Sequence, residues 1–177
     1  MTPELRTDRL VLSPYVASDE SEFVALFQDR LSGRWFWEGP DPEPEAETRA
    51  LFGRIFSSVY AENRWPIWAV RHEGRFIGHA EIKPSPLPRL DGHEIVYGLT
   101  ADSWGQGFGT EVAEALTSYG YRELQLDEVH ATVSAENSAS LNVLKKLGYV
   151  HVRNIPEDDG TTTQLLTHRR ASDTVRP

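Results

Sequence analysis

Cysteine is absent from all 177 residues, which excludes a disulfide framework, a thiolate metal site and a cysteine nucleophile. Also missing are any apolar stretch long enough to cross a bilayer and any basic-then-apolar leader. Neither membrane insertion nor export is therefore expected, and a cytoplasmic location is. Positive charge is scarce: 18 Lys and Arg against 27 Asp and Glu leave a net charge of −9. With a sequence pI of about 5.1, broad binding to nucleic acid or anionic lipid is disfavoured, and a cationic ligand such as an amine is mildly favoured. No Gly-Lys-Ser/Thr loop marks a nucleotide hydrolase, and no His-Glu-x-x-His occurs among the six histidines. Asp158-Asp159-Gly160 lacks the further oxygen ligands of a calcium loop, so no metal is expected.

What is present suits one core. At 39% hydrophobic residues, the length favours a single domain, taken as residues 1–170, with a polar, loose tail over 171–177. No repeat occurs. Gly39-Pro40-Asp41-Pro42-Glu43-Pro44 reads as a loop before a helix near Glu45 to Asn63, and Pro84-Ser85-Pro86-Leu87-Pro88 as a second break. Val150 to Asn154 and Thr161 to Thr167 read as strands joined by a turn at Glu157-Asp158-Asp159-Gly160.

The densest information lies between His93 and Tyr149. His93-Glu94-Ile95-Val96-Tyr97-Gly98-Leu99 has strand composition and runs into Trp104-Gly105-Gln106-Gly107-Phe108-Gly109-Thr110. Behind that loop Val112, Ala113, Leu116 and Gly120 recur at helical spacing, and Val129 to Val133 reads as the next strand. Alternate glycines let backbone N–H groups converge without Cβ obstruction, and the helix N-terminus adds partial positive charge, so the loop suits a pyrophosphate. Glycines before a helix also occur for the turn alone. A second polar helix start follows at Asn137-Ser138-Ala139-Ser140.

In order and spacing these segments resemble the GNAT superfamily of acetyl-CoA-dependent N-acyltransferases, and within it the RimJ/RimL-like branch. The resemblance is carried by Tyr97-Gly98-Leu99, the glycine loop, Glu111, Asn137-x-x-Ser140 and Lys146-Leu147-Gly148-Tyr149. Leu5 to Pro14 resembles the branch's opening strand, Ala17 to Phe27 its first helix and Phe76 to Ile82 its third strand. The family's loop usually opens with Arg or Gln; Trp104 stands there, as an aromatic often does in this branch. The resemblance implies an α/β (α+β) fold: a mixed, mostly antiparallel twisted sheet flanked by helices and splayed where its fourth and fifth strands run parallel. It also implies acetyl-CoA as acyl donor, an amine acceptor that is a protein N-terminus or a small molecule, and compatibility with a homodimer.

Acetyl transfer needs the acyl-CoA held, the amine neutral, the carbonyl oxygen's charge stabilised and the departing thiolate protonated. For holding, Gly105, Gln106, Gly107, Phe108, Gly109 and Thr110 supply donors, with Leu99, Trp104, Asn137 and Ser140 as further cofactor contacts implied by the resemblance. Trp104 equally suits covering the sheet edge, and Asn137 equally suits an N-cap. A backbone N–H near Tyr97 to Leu99 would meet the carbonyl oxygen, with Gly98 permitting a bulge. Ser140 is the candidate proton donor to the thiolate. Glu94 is the first candidate base, acting through water, ahead of Glu157 or Asp158 and then Glu81; His93 must face the other way. In the family that the chain resembles, the segment after the first helix walls the acceptor pocket, which implies Trp35 and Trp37, followed by Glu38, as acceptor-site candidates; an aromatic wall beside an acid would suit an ammonium group. Trp68 reads as core. An acyl-CoA-binding module without turnover, and a longer acyl donor, are the remaining alternatives.

Overall fold

The computed structural model describes residues 1–37, 39, 41–87 and 90–170. Glu38, Pro40, Pro88 and the tail expected over 171–177 lie outside the described residues. Eight strands form one sheet in the order β1-β2-β3-β4-β5-β6-β8-β7. They are β1 (Leu5–Arg6), β2 (Leu10–Ser13), β3 (Ile67–His72), β4 (Arg75–Pro84), β5 (His93–Leu99), β6 (Glu128–Ser134), β7 (Val150–Pro156) and β8 (Thr162–Arg169). The opening strand is two strands, because Thr7 turns the chain: its N–H donates to Leu10 O at 3.0 Å and its hydroxyl accepts from Leu10 N–H at 3.0 Å. The count thereby rises by one, and the parallel pair expected between the fourth and fifth strands is β5 with β6.

That pair is brief. His93 opposes Val129 and Glu94 opposes His130, and the register then ends. On its far side β5 pairs antiparallel with β4 along its whole length, as β6 does with β8. Each strand is thus fixed by its other neighbour, and the two diverge without loss of order.

Strand alternation sends side chains to two cores. Trp68, Val70, Ala80, Ile82, Ile95 and Leu99 face α3 (Phe108–Arg122), which returns Val112, Ala113 and Leu116 at helical spacing. α4 (Ser138–Lys146) adds Leu144 to the same face. Trp68 is fully buried and its indole N–H donates to Pro3 O at 2.6 Å. The opposite face, with Ile67 and Ala69, is covered by α1 (Glu20–Gln28) and α2 (Glu45–Arg54) through Phe23, Leu26 and Phe52. α2 continues as a π-helical turn over Ile55–Tyr60, and Tyr60 closes it by donating to Ile67 O at 2.7 Å.

Glycine is required where β4 and β5 cross most tightly. A Cβ on Gly78 would lie 2.4 Å from Gly98 O and 2.6 Å from Leu99 Cδ2. A strand carbonyl cannot swing aside as a side chain does, so Gly78→Ala is expected to lose about 1–3 kcal/mol of stability by overpacking, read by urea unfolding. An unchanged midpoint would show that β4 and β5 can part at that point.

Candidate active site

Where β5 and β6 separate, the N-termini of α3 and α4 meet over a cleft of about 470 Å³. Its floor is the β5 end at Tyr97, Gly98 and Leu99; one wall is the glycine loop, another is Asn137 to Ser140, and Trp35 and Phe36 close the far side. The loop takes its shape from Gly105 and Gly107, at φ of 74° and 83°, a left-handed region that a Cβ disfavours. Gly107 is the residue before α3. Within the described residues the N–H groups of Gly107, Phe108 and Gly109 find no backbone acceptor, while Thr110 and Glu111 N–H return to Gly107 O at 3.1 and 3.2 Å. Unpaired donors at the positive end of a helix form an anion cradle, and this donor set fits a diphosphate.

Two residues that the loop's own sequence does not announce hold it in place. Arg9, beside β2, donates from Nη1 to Gln106 O at 2.9 Å, pairs with Glu111 at 2.7 Å and lies 4.5 Å above the Phe108 ring. Glu111 also accepts from Arg9 N–H at 2.8 Å and from the Thr7 hydroxyl. Burial works to raise the Glu111 pKa, but the hydrogen bonds from Thr7 and Arg9 outweigh it and hold the carboxyl below its ordinary value.

The remaining cofactor candidates divide by what the structure does with them. Trp104 is half exposed on the cleft, and its indole N–H donates to Leu99 O at 2.9 Å, so it both lines the opening and seals the strand's last carbonyl. The Gln106 side chain turns back to Asp102 O at 3.2 Å, leaving only its main chain toward the loop. The Phe108 ring is buried in the core, while Thr110 stands on the cleft. Asn137 Oδ1 accepts from Ser140 N–H at 3.1 Å, which is the N-cap arrangement. Ser140 lines the cleft, facing Tyr97.

Gly98 does not make a bulge: the β4–β5 register runs unbroken from Gly78↔Leu99 to Pro84↔His93. Glycine is needed there because a Cβ would lie 2.4 Å from Phe36 Cζ. Main-chain groups still face the opening. Thr100 N–H donates to Ile77 O on the β4 side at 2.8 Å, so by alternation Tyr97 and Leu99 present theirs to the gap.

Trp35 and Trp37 part company. Trp35 lies on the cleft with the Arg34 guanidinium 4.2 Å above its ring, and Arg34 approaches Glu136 at 3.8 Å across the mouth. Trp37 donates to Phe27 O at 2.7 Å and lines a separate hollow of about 260 Å³ with Glu43 and Glu47. Glu94 sits on the sheet face opposite Ile95 and Tyr97, 3% exposed, where β5 and β6 begin to part. Thr132 donates to it at 3.2 Å; burial pushes its pKa up, against the pull of Lys83. Glu81 is engaged by Trp65 Nε1 and Lys83, both at 3.0 Å, and Glu157 and Asp158 are exposed in the β7–β8 turn. His93 faces away from Glu94, its pKa lowered by burial and then by His130. Among the described residues no group of three or more potential ligands could hold a metal, and no helix is long and apolar enough to cross a membrane.

A family model described as the acetyltransferase (GNAT) domain matches residues 9–150. The uncharacterized N-acetyltransferase YoaA of Bacillus subtilis is 28% identical over 151 residues, which is 84% of each chain. Among solved structures, an acetyltransferase from Agrobacterium tumefaciens superposes with a TM-score of 0.78 at 22% identity, over 96% of both chains. Spermidine N-acetyltransferase from Vibrio cholerae, in complex with CoA and spermine, gives 0.76 at 17% identity over 92% of this chain and 96% of its own. RimL, a ribosomal L7/L12 alpha-N-protein acetyltransferase in complex with coenzyme A, gives 0.74 at 15% identity over 94% and 98%.

The Arg9 clamp has a direct consequence for the loop. Arg9→Ala is expected to speed amide exchange across Gly105 to Glu111 about tenfold, as for a local opening made about 1.4 kcal/mol easier, while β3 and β4 keep their protection. Equal protection in the variant would show that the loop holds its shape alone.

Proposed function

This chain belongs to the GNAT acetyltransferase family, and from that premise we propose that it moves an acetyl group from acetyl-CoA directly to a primary amine, the α-amine of a protein N-terminus. The observation that carries this is the cleft itself. Unpaired N–H groups at the head of α3 occupy one end, the N–H groups of Tyr97 and Leu99 the floor, and an aromatic-walled mouth at Trp35 the other end. Bound acetyl-CoA supplies an activated thioester; the protein supplies its placement and charge complementarity.

The roles follow from placement. Gly107, Phe108 and Gly109 N–H groups hold the diphosphate, with Arg9 and Glu111 keeping the loop closed. Tyr97 or Leu99 N–H meets the carbonyl oxygen as charge grows on it. Ser140 stands at the sulfur. Glu94, beneath the sheet at the parting of β5 and β6, takes the amine proton through water, and its raised pKa brings it closer to the working range of a base. Residues 1–170 act as one catalytic domain in the cytoplasm. The likeness to RimL supports the α-amine acceptor. A small polycationic amine is the second reading, favoured by the net charge of −9 and the likeness to the spermidine enzyme.

Calorimetric titration with acetyl-CoA, then thiol release against N-terminal peptides and polyamines, separates these readings. Release driven by peptides is expected; release by polyamines alone would select the second acceptor, and binding without release would indicate a non-catalytic module. Gly107→Glu should lose acetyl-CoA binding, because it puts a carboxylate in the anion cradle at a left-handed φ, 3.4 Å from Arg9 Nη2 for its Cβ alone.

Glu94→Gln tests the base. Because the folded-state pKa is raised, the neutral form stabilises the fold; that contribution is full below the unfolded pKa and is lost as pH rises through the folded value. The stability of Glu94→Gln relative to wild type should therefore increase from pH 4 to pH 8, while acceptor-dependent kcat falls about 10²-fold or more. Wild-type turnover in the variant would remove Glu94 from the chemistry.

A further inference from the structure

Tyr97 carries a buried polar atom that the fold does not explain. Its hydroxyl oxygen is sealed from solvent and has no hydrogen-bond partner in the described structure. The tyrosine projects from β5 onto the α3 face, where its ring edge lies 3.9 Å from a Cβ built on Gly109, whose other near neighbour is Val143 of α4. That places it between the two helix N-termini, on the cleft wall beside Ser140. Burial raises its pKa to about 12, and the neighbouring Ser140 hydroxyl draws it partly back. The phenol is thus a proton-bearing donor at any working pH, close to Ser140 but not hydrogen-bonded to it in good geometry. Buried hydroxyls left without partners are rare and costly, and where one lines a cleft a bound group is its natural partner.

We propose that Tyr97 is a positioning residue for the sulfur end of the acyl donor: its hydroxyl donates to Ser140 Oγ when the cleft is filled and turns the Ser140 O–H onto the sulfur. This rests on the acetyltransferase reading and adds to it the device that stabilises the leaving group. The balance of the step is simple. The C–S bond breaks with its electron pair on sulfur, the C–N bond forms, and the amine proton that Glu94 takes up through water is returned by solvent to the sulfur, restoring the thiol. Neither hydroxyl gives up its proton, since a phenol near 12 is a weaker acid than an ordinary thiol at about 8.5. Tyr97 and Ser140 act in series as hydrogen-bond donors, favouring the charged sulfur over the neutral one.

CoA itself is the probe. The thiol of bound CoA is titrated by its thiolate ultraviolet absorbance in wild type, Tyr97→Phe, Ser140→Ala and the double variant, with CoA affinity measured at pH 6. Wild type is expected to hold the thiol below its ordinary value, and each single variant to return it upward by about one unit, a tenfold change. Affinity at pH 6 should stay within about twofold, and the double variant should match Ser140→Ala, as for residues acting through one another. Turnover of Tyr97→Phe should fall about tenfold with acetyl-CoA and less with the selenoester analogue, whose leaving group needs less support. CoA bound with an unchanged thiol pKa in Tyr97→Phe, or fully additive shifts, would overturn the role of Tyr97 alone. A wild-type protein that bound no CoA would overturn it together with the acetyltransferase reading.

Discussion

His93 against Val129 and Glu94 against His130 are the register pairs that hold β5 to β6, and everything else about the site depends on their ending there. A parallel pair that continued would satisfy the main-chain groups of Tyr97 and Leu99 and fill the space below the helices. Because it stops, the strands leave a gap whose backbone is polar and whose walls are rigid. Each strand pays for the lost pairing with an unbroken antiparallel partner, β4 for β5 and β8 for β6. Sites built on such strands keep their geometry better than sites built on loops alone.

The gap also fixes where the helices begin. α3 follows β5 and α4 follows β6, so both helices start at the same mouth and aim their positive ends into it. The loop before α3 has glycine at 105, 107 and 109 and is held by contacts from outside it. Arg9 ties its carbonyl side to the β2 edge while Glu111, one turn into α3, holds Arg9. The N–H side stays unpaired among the described residues, so the contacts that hold the loop lie on its carbonyl face and leave its donor face open.

Local periodicity made most of this legible in the sequence. The strand composition of His93 to Leu99, the helical spacing of Val112, Ala113 and Leu116 and the polar start at Asn137 each report on a few neighbouring residues, and the structure has a strand, a helix and an N-cap there. What could not be read depends on partners far along the chain. Gly98 looked like a bulge but makes room for Phe36, whose position is set by α1 and the turn after it. Trp37 shares a short segment with Trp35, yet its indole is drawn to Phe27 O and its ring to another hollow. The opening strand broke at Thr7 because a hydroxyl competed for the ladder, a local signal that strand propensity outweighed. Glu111 belongs to the pattern that marks the family resemblance, but Arg9 lies about a hundred residues away in sequence, and only folding brings the two together.

The chemistry of the site bears on the class of amine. At pH 7 an α-amine with a pKa near 8 costs about 1.4 kcal/mol to deprotonate, whereas a lysine-like amine near 10.4 costs about 4.6 kcal/mol. Near the parting of the strands stand the buried carboxylates of Glu94 and Glu81, Lys83 paired with Glu81 at 3.0 Å, the hydroxyls of Tyr97 and Ser140, and a set of backbone donors. Lys83 on β4 opposes Glu94 and pulls its pKa down against the effect of burial, while Arg34 and Lys146 lie along the cleft, with Arg34 at its mouth. On the roles proposed above, such a site would contribute orientation and leaving-group support more than power to strip a proton from a strong base. An acceptor that is already partly neutral suits the roles proposed above, and on that ground we propose an N-terminal amine over a polyamine.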